Sequence, residues 1–151
     1  MSKAISNKNV ADAKFAPAPF DGPFKAALGR PELKGSWLIF GKSGSGKTTF
    51  ALQLAKYLTR FVDKVAFDSL EQGLSLSMQK AWKRVDMAAA GSKVIFLDKE
   101  SLPELRDRLS KRKSPNVIII DSVICLVGMR LADYQKLMND YPNKLFIFLA
   151  H

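Results

Sequence analysis

The chain has 151 residues, 47% of them apolar, and its 24 lysines and arginines against 14 aspartates and glutamates give a net charge of +10. That length and composition suit one globular domain with a sizeable core; no apolar run reaches membrane-spanning length, and Met1 to Lys8 lacks a signal peptide's hydrophobic region, so a cytoplasmic protein is expected. The positive balance favours a polyanionic partner, nucleic acid first, while the single Cys125 has no internal disulfide partner and, between Ile124 and Leu126, reads as a small buried hydrophobe.

Residues 1–33 form a proline-containing N-terminal arm. Its Ala16-Pro17-Ala18-Pro19-Phe20-Asp21-Gly22-Pro23 stretch is too proline-rich for a regular element. An arm laid on the domain surface and anchored by its phenylalanines is expected. From residue 34 to 151, apolar strand-like runs alternate with helical patterns. This predicts an α/β domain with a parallel sheet and helices on both faces.

The first strand, about Trp37 to Phe40, leads directly into Gly41-Lys42-Ser43-Gly44-Ser45-Gly46-Lys47-Thr48, a complete G-x-x-x-x-G-K-[ST] phosphate-binding loop. An amphipathic helix follows, with Phe50, Leu54, Tyr57, Leu58 and Phe61 on one stripe. In such a loop the glycines let backbone N–H groups converge on phosphates at a positive helix terminus, the lysine reaches the β and γ phosphates, and the hydroxyl faces Mg²⁺. Gly41, Lys42, Ser43, Gly44, Ser45, Gly46, Lys47, Thr48 and Thr49 are therefore candidate nucleotide-binding residues. A Gly/Ser-rich turn with a surface lysine is the bland alternative, and the strand-loop-helix setting opposes it.

The second strand, about Val65 to Phe67, runs into Asp68-Ser69-Leu70-Glu71. An acid there can face the γ-phosphate across from Lys47 and hold the attacking water. Glu71 is the candidate base, with Asp68 the rival if the register differs; a helix N-terminal acid is the other reading. A helix with Leu74, Met78, Ala81, Trp82 and Val85 on its core stripe precedes the third strand, about Val94 to Leu97. Ser101-Leu102-Pro103-Glu104 is a capping-box start for a helix carrying Leu105 and Leu109.

The fourth strand, about Val117 to Ile120, ends in Asp121, as a strand does when it delivers a carboxylate to a Mg²⁺ shell at the sheet's C-terminal edge. Leu131, Tyr134, Leu137 and Met138 mark one more helix. The last strand, about Leu145 to Leu149, brings His151 to its mouth, where a polar group can sense the γ-phosphate; a solvated chain end is the other reading. All five strands are near-continuously apolar, as central parallel strands are. The densest basic groups, Lys80, Lys83 and Arg84, then Arg106, Arg108, Lys111, Arg112 and Lys113, fall on predicted helices and read either as DNA contacts or as solvated faces.

This order of motifs resembles the RecA-like ATPase core over about Lys34 to His151. Gly44 to Ala55 and Phe67 to Glu71 are most similar to the DnaB, RadA and RepA-type helicases and recombination ATPases, phage-encoded relatives included. The resemblance implies a three-layer P-loop fold in which the His151 strand lies between the phosphate-loop strand and the Asp121 strand. It implies water polarisation by Glu71, Mg²⁺ coordination through Thr48 and Asp121, and γ-phosphate sensing by His151. It further implies ATP and Mg²⁺ as ligands, single- or double-stranded DNA as partner, a homo-oligomeric ring or filament for the full-length protein, and a bacterial cytoplasm, native or phage-infected, as its setting.

Two departures stand against a full carry-over. Little room separates Asp121 from His151 for a recombinase DNA-binding loop, and relatives continue through further strands, so a C-terminally truncated core with an exposed sheet edge is expected. A small-molecule kinase, with Arg106, Arg108 and Arg112 on a lid, and a nucleotide-binding module without turnover are the alternative functions.

Overall fold

The computed structural model describes residues 3–42, 44, 46–122 and 130–150. The chain divides into two compact units, Met1–Glu32 and Leu33–His151. The first holds two short helices, α1 (Asn7–Asp12) and α2 (Gly22–Leu28). The sequence expectation of no regular element in Ala16 to Pro23 is corrected at its end, because Gly22 and Pro23 occupy the first turn of α2. A proline is tolerated there, where its missing N–H would have no helical partner. Ser6 caps α1 by accepting the Asn9 N–H.

The second unit is built on strands β1 (Gly35–Phe40), β2 (Val65–Ser69), β3 (Val94–Asp98), β4 (Val117–Asp121) and β5 (Leu145–Ala150), in the spatial order β1-β5-β4-β2-β3. Every pairing is parallel, and the register sets Gly35, Leu145, Val117, Val65 and Val94 side by side at the N-terminal end of the sheet. The last strand thus lies between the phosphate-loop strand and the Asp121 strand, as the resemblance implies. Connections run through α3 (Lys47–Leu58), α4 (Leu76–Arg84), α5 (Leu102–Leu109) and α6 (Leu131–Asp140), with a 3₁₀ segment at Met87–Lys93 before β3. Among the described residues, no helix is long and apolar enough to cross a membrane.

Successive side chains of a strand alternate between faces, so the sheet carries two cores. On one face Ala66, Ile118, Ile120, Phe146 and Phe148 pack with Leu105 and Leu109 of α5 and Leu137 of α6. On the other, α3 buries Ala51, Leu52, Leu54, Ala55 and Leu58, and Trp82 of α4 meets Phe67 and Phe96 edge-to-face at 6.3 and 5.5 Å.

Two expectations change. The strands are not all central: β1 is an edge strand whose Leu38 and Phe40 are 59% and 76% exposed. Leu74 is 71% exposed because α4 starts later, at Leu76, where the Ser75 hydroxyl accepts the Met78 N–H as an N-cap. Cys125 lies outside the described residues.

Candidate active site

The site forms where β1, β4 and β2 end. Gly46, the N-cap of α3, has φ +86°, a left-handed conformation that a side chain would strain. It turns the chain sharply from loop into helix, so the first-turn N–H groups of α3 point back over the loop. No acidic residue occupies that turn, which leaves its positive end available to an anion. The Lys47 ammonium donates to the carbonyl oxygens of Gly41 at 2.7 Å and Lys42 at 2.8 Å, closing the loop around itself. An ammonium carries three protons, so one remains for a phosphate oxygen. Ser43 and Ser45 lie outside the described residues.

One residue further along α3, the Thr48 hydroxyl donates to Asp121 Oδ2 at 3.0 Å across 73 residues of sequence. Asp121 is 3% exposed. Its alternation from Ile120 puts it on the α3 face of β4, which is why a strand-terminal acid and a helix N-terminal hydroxyl meet. Its backbone carbonyl accepts the N–H groups of Leu70 at 2.7 Å and Glu71 at 3.0 Å. The segment bearing Glu71 is therefore pinned to the same strand end that carries Asp121.

The turn after β2 is closed by the Gly73 N–H on the Ser69 carbonyl at 3.0 Å. Gly73 has φ +63°, and a Cβ there would stand 2.7 Å from Asp98 Oδ1 and 2.8 Å from the Lys99 side chain. A side chain here would be strained by the positive φ and would have to displace the Asp98 carboxylate and the Lys99 side chain. Glu71 itself is exposed at the sheet's C-terminal edge.

Asp68 goes elsewhere. In register with Ile120 it lies on the α5 face, fully buried, where Oδ1 accepts the Glu100 N–H at 2.9 Å and Oδ2 has no hydrogen-bond partner among the described residues. Burial pushes its carboxyl up to about 7, helped by the Glu100 and Glu104 carboxylates and opposed by the Glu100 N–H and Arg108. Asp68 and Asp121 thus occupy opposite faces.

Sequence reasoning missed Ser122, whose Oγ is buried beside Asp121 without a hydrogen-bond partner among the described residues. A serine after a strand-terminal acid is common in turns, so its letter alone carried no signal. His151 lies outside the described residues. The arginines considered for a kinase lid are engaged on α5: Arg106 pairs with Asp140 at 2.9 Å, and Arg108 grips both carboxylate oxygens of Glu100. Lys111, Arg112 and Lys113 fall beyond the end of α5, not on a helix as expected.

Residues 37–150 match the ATPase family associated with various cellular activities (AAA). A DNA repair and recombination protein RadB from Methanosphaera stadtmanae is 31% identical over 106 residues, 66% of this chain and 46% of that protein. The chain spans about half the length of this curated relative. The crystal structure of the flagellar accessory protein FlaH from Methanocaldococcus jannaschii superposes with a TM-score of 0.67 at 16% identity, covering 89% of this chain and 70% of the other. That of a KaiC-like protein from Pyrococcus horikoshii OT3 gives 0.57 at 19%, covering 85% and 66%. These two share the fold. With its phosphate loop, Thr48–Asp121 contact and sheet order, the chain belongs to the ATPase family associated with various cellular activities and has a RecA-like P-loop core.

Proposed function

We propose that this chain is the ATP-binding and ATP-hydrolysing core of a RecA-like, DNA-dependent ATPase that acts in recombination or replication. The Thr48–Asp121 contact at the head of the phosphate loop carries the reading. A hydroxyl and a carboxylate, both hard oxygen donors, suit Mg²⁺, which takes few protein ligands and completes its shell with phosphate and water. The cation supplies charge neutralisation at the β and γ phosphates when it is bound.

The chain's own groups do the rest. Lys47 offers its remaining proton to a phosphate oxygen, the α3 N–H groups hold the phosphates, and Asp121 keeps Thr48 oriented. Glu71, fixed through its N–H on the Asp121 carbonyl, aligns a water for in-line attack, and His151 senses the γ-phosphate from the end of β5. The net charge of +10 and the likeness to a DNA repair and recombination protein support the DNA half. The exposed apolar residues of β1 support assembly of the full-length protein into a ring or filament.

Steady-state hydrolysis of Mg²⁺-ATP with and without single-stranded DNA tests the reading, with Lys47→Ala as control. DNA-stimulated turnover that vanishes in the control is expected. Phosphate transfer to a nucleoside monophosphate, or ATP binding that survives Lys47→Ala, overturns it.

A further inference from the structure

The end of the sheet opposite the nucleotide site carries a row of lysines that no motif announces. The strands start in register, and the residue just before each start is, in spatial order, Lys34, Lys144, Asn116, Lys64 and Lys93. With neighbouring strands about 4.8 Å apart, this row is about 19 Å long. Lys113 stands beside it, because the Lys64 ammonium donates to its carbonyl at 3.1 Å. Arg60, at the end of the α3 turn, lies over the rings of Tyr57 and Phe61 at 4.9 and 5.5 Å, which holds its guanidinium at the same rim.

Three of these lysines, Lys64, Lys93 and Lys144, bond carbonyls. Lys64 reaches the Lys113 carbonyl, Lys93 the Thr59 carbonyl at 3.3 Å, and Lys144 the Pro115 carbonyl and the Ser114 hydroxyl. A carbonyl orients an ammonium without cancelling its charge, and each ammonium retains further protons to donate. Among the described residues, Lys64, Lys93, Lys113 and Lys144 form no ion pair. Acids close in sequence are Asp63, before Lys64, and Glu32, before Lys34, while Asp86 pairs with Lys56 at 3.9 Å. By contrast, Arg106, Arg108 and Lys111 on the α5 side are matched by Asp140, Glu100 and Asp107.

We propose that this basal rim, centred on Lys64, Lys93 and Lys113, is a docking surface for the phosphodiester backbone of a single-stranded nucleic acid. The inference rests on the nucleic-acid half of the proposed function and names its surface. A cluster of ammonium groups along the sheet end matches a chain of phosphates and gains affinity by releasing their counterions. Among the described residues of this unit, the exposed large apolar side chains are Leu38 and Phe40 on β1 and Leu74 and Leu76 at the start of α4, none of them in the lysine row. A strand bound here sits about 17 Å from the nucleotide, one strand length away, and touches the same β-strands that end in Asp121 and lead into Glu71.

The test is fluorescence anisotropy of a labelled oligothymidylate over a salt titration, with nucleotide binding measured in parallel. Lys93→Glu with Lys113→Glu, both at exposed positions, is compared with Lys80→Glu with Lys83→Glu on α4, an equal change of charge elsewhere. The neutral pair Lys93→Gln with Lys113→Gln guards against misfolding. The rim variants should weaken DNA binding by about tenfold or more and flatten its salt dependence by about one to two contacts. The α4 variant should change it by less than about threefold, and all should bind nucleotide as the parent does.

Equal weakening by the two charge-reversed pairs, or none by the rim pair, overturns the rim while leaving the DNA reading intact. A parent chain that binds nucleotide but no DNA, or binds phosphatidylserine vesicles in its place, overturns both.

Discussion

Two carboxyl groups three residues apart, Asp68 inside β2 and Glu71 in the turn after it, go to different places. The pleat sends Asp68 under α5, while the Asp121 carbonyl holds the Glu71 backbone at the nucleotide edge. Glu71→Gln should therefore retain ATP binding and lose turnover by about 10²-fold or more, as removal of a catalytic base does, whereas Asp68→Asn should leave turnover near the parent's. Steady-state rates beside nucleotide titrations distinguish the two.

Asp68 should reveal itself in stability instead. Its carboxyl titrates at about 7 in the folded chain against 3.8 when unperturbed, with burial the main cause, so the native state holds its proton more tightly. Between those values stability falls as pH rises. Asn keeps an acceptor for the Glu100 N–H without the buried charge. Asp68→Asn should thus be more stable than the parent by about 1–3 kcal/mol at pH 8, and the gap should close as pH falls through 7 towards 4, measured by urea unfolding. The sequence left Asp68 and Glu71 as rivals because both letters suit a strand end, and only the register tells one face from the other.

At the level of elements, the signals that were legible came from local chemistry, and those that were missed came from pairing. The phosphate loop, the strand ending in Asp121 and the Ser101 cap of α5 are each written in consecutive letters, and Ser101 Oγ does accept the Glu104 N–H. Ser101→Ala should cost about 1 kcal/mol, read from denaturant midpoints. The edge position of β1 was not legible, since Trp37 to Phe40 is as apolar as an interior strand. Nor was the basal lysine row, whose members are brought into line only by the strand register. The glycine after Glu71 was legible as a turn but not as a necessity. Gly73→Ala meets both an unfavourable φ and the Asp98 carboxylate, and should cost stability by more than about 1 kcal/mol while displacing Glu71, so that turnover falls more than nucleotide affinity does.

Across the whole chain, the pairings differ greatly in how far they reach. β2 joins its neighbour β3 through a short excursion, whereas β1 meets only β5, with Gly35 opposite Leu145. Bringing such distant segments together pays its loop entropy before any contact rewards it, which makes this pairing a late event in folding. Ile39→Ala in β1 should mainly speed unfolding, while Phe67→Ala in β2 should also slow folding, as the two arms of a chevron plot would separate. The phosphate loop hangs from this late strand: the Gly41 N–H at its exit donates to the Ala150 carbonyl of β5 at 3.3 Å. A nucleotide seated in the loop is consequently a clamp on the sheet as well as a substrate. At a hundred times its Kd, mass action makes detachment of β1 costlier by about 2.7 kcal/mol, so amide exchange along Gly35 to Gly41 should slow with occupancy more than that of β2 and β3. Each round of nucleotide binding and release would then tighten and loosen one side of the sheet, with the strand that carries the phosphate loop as the part most affected.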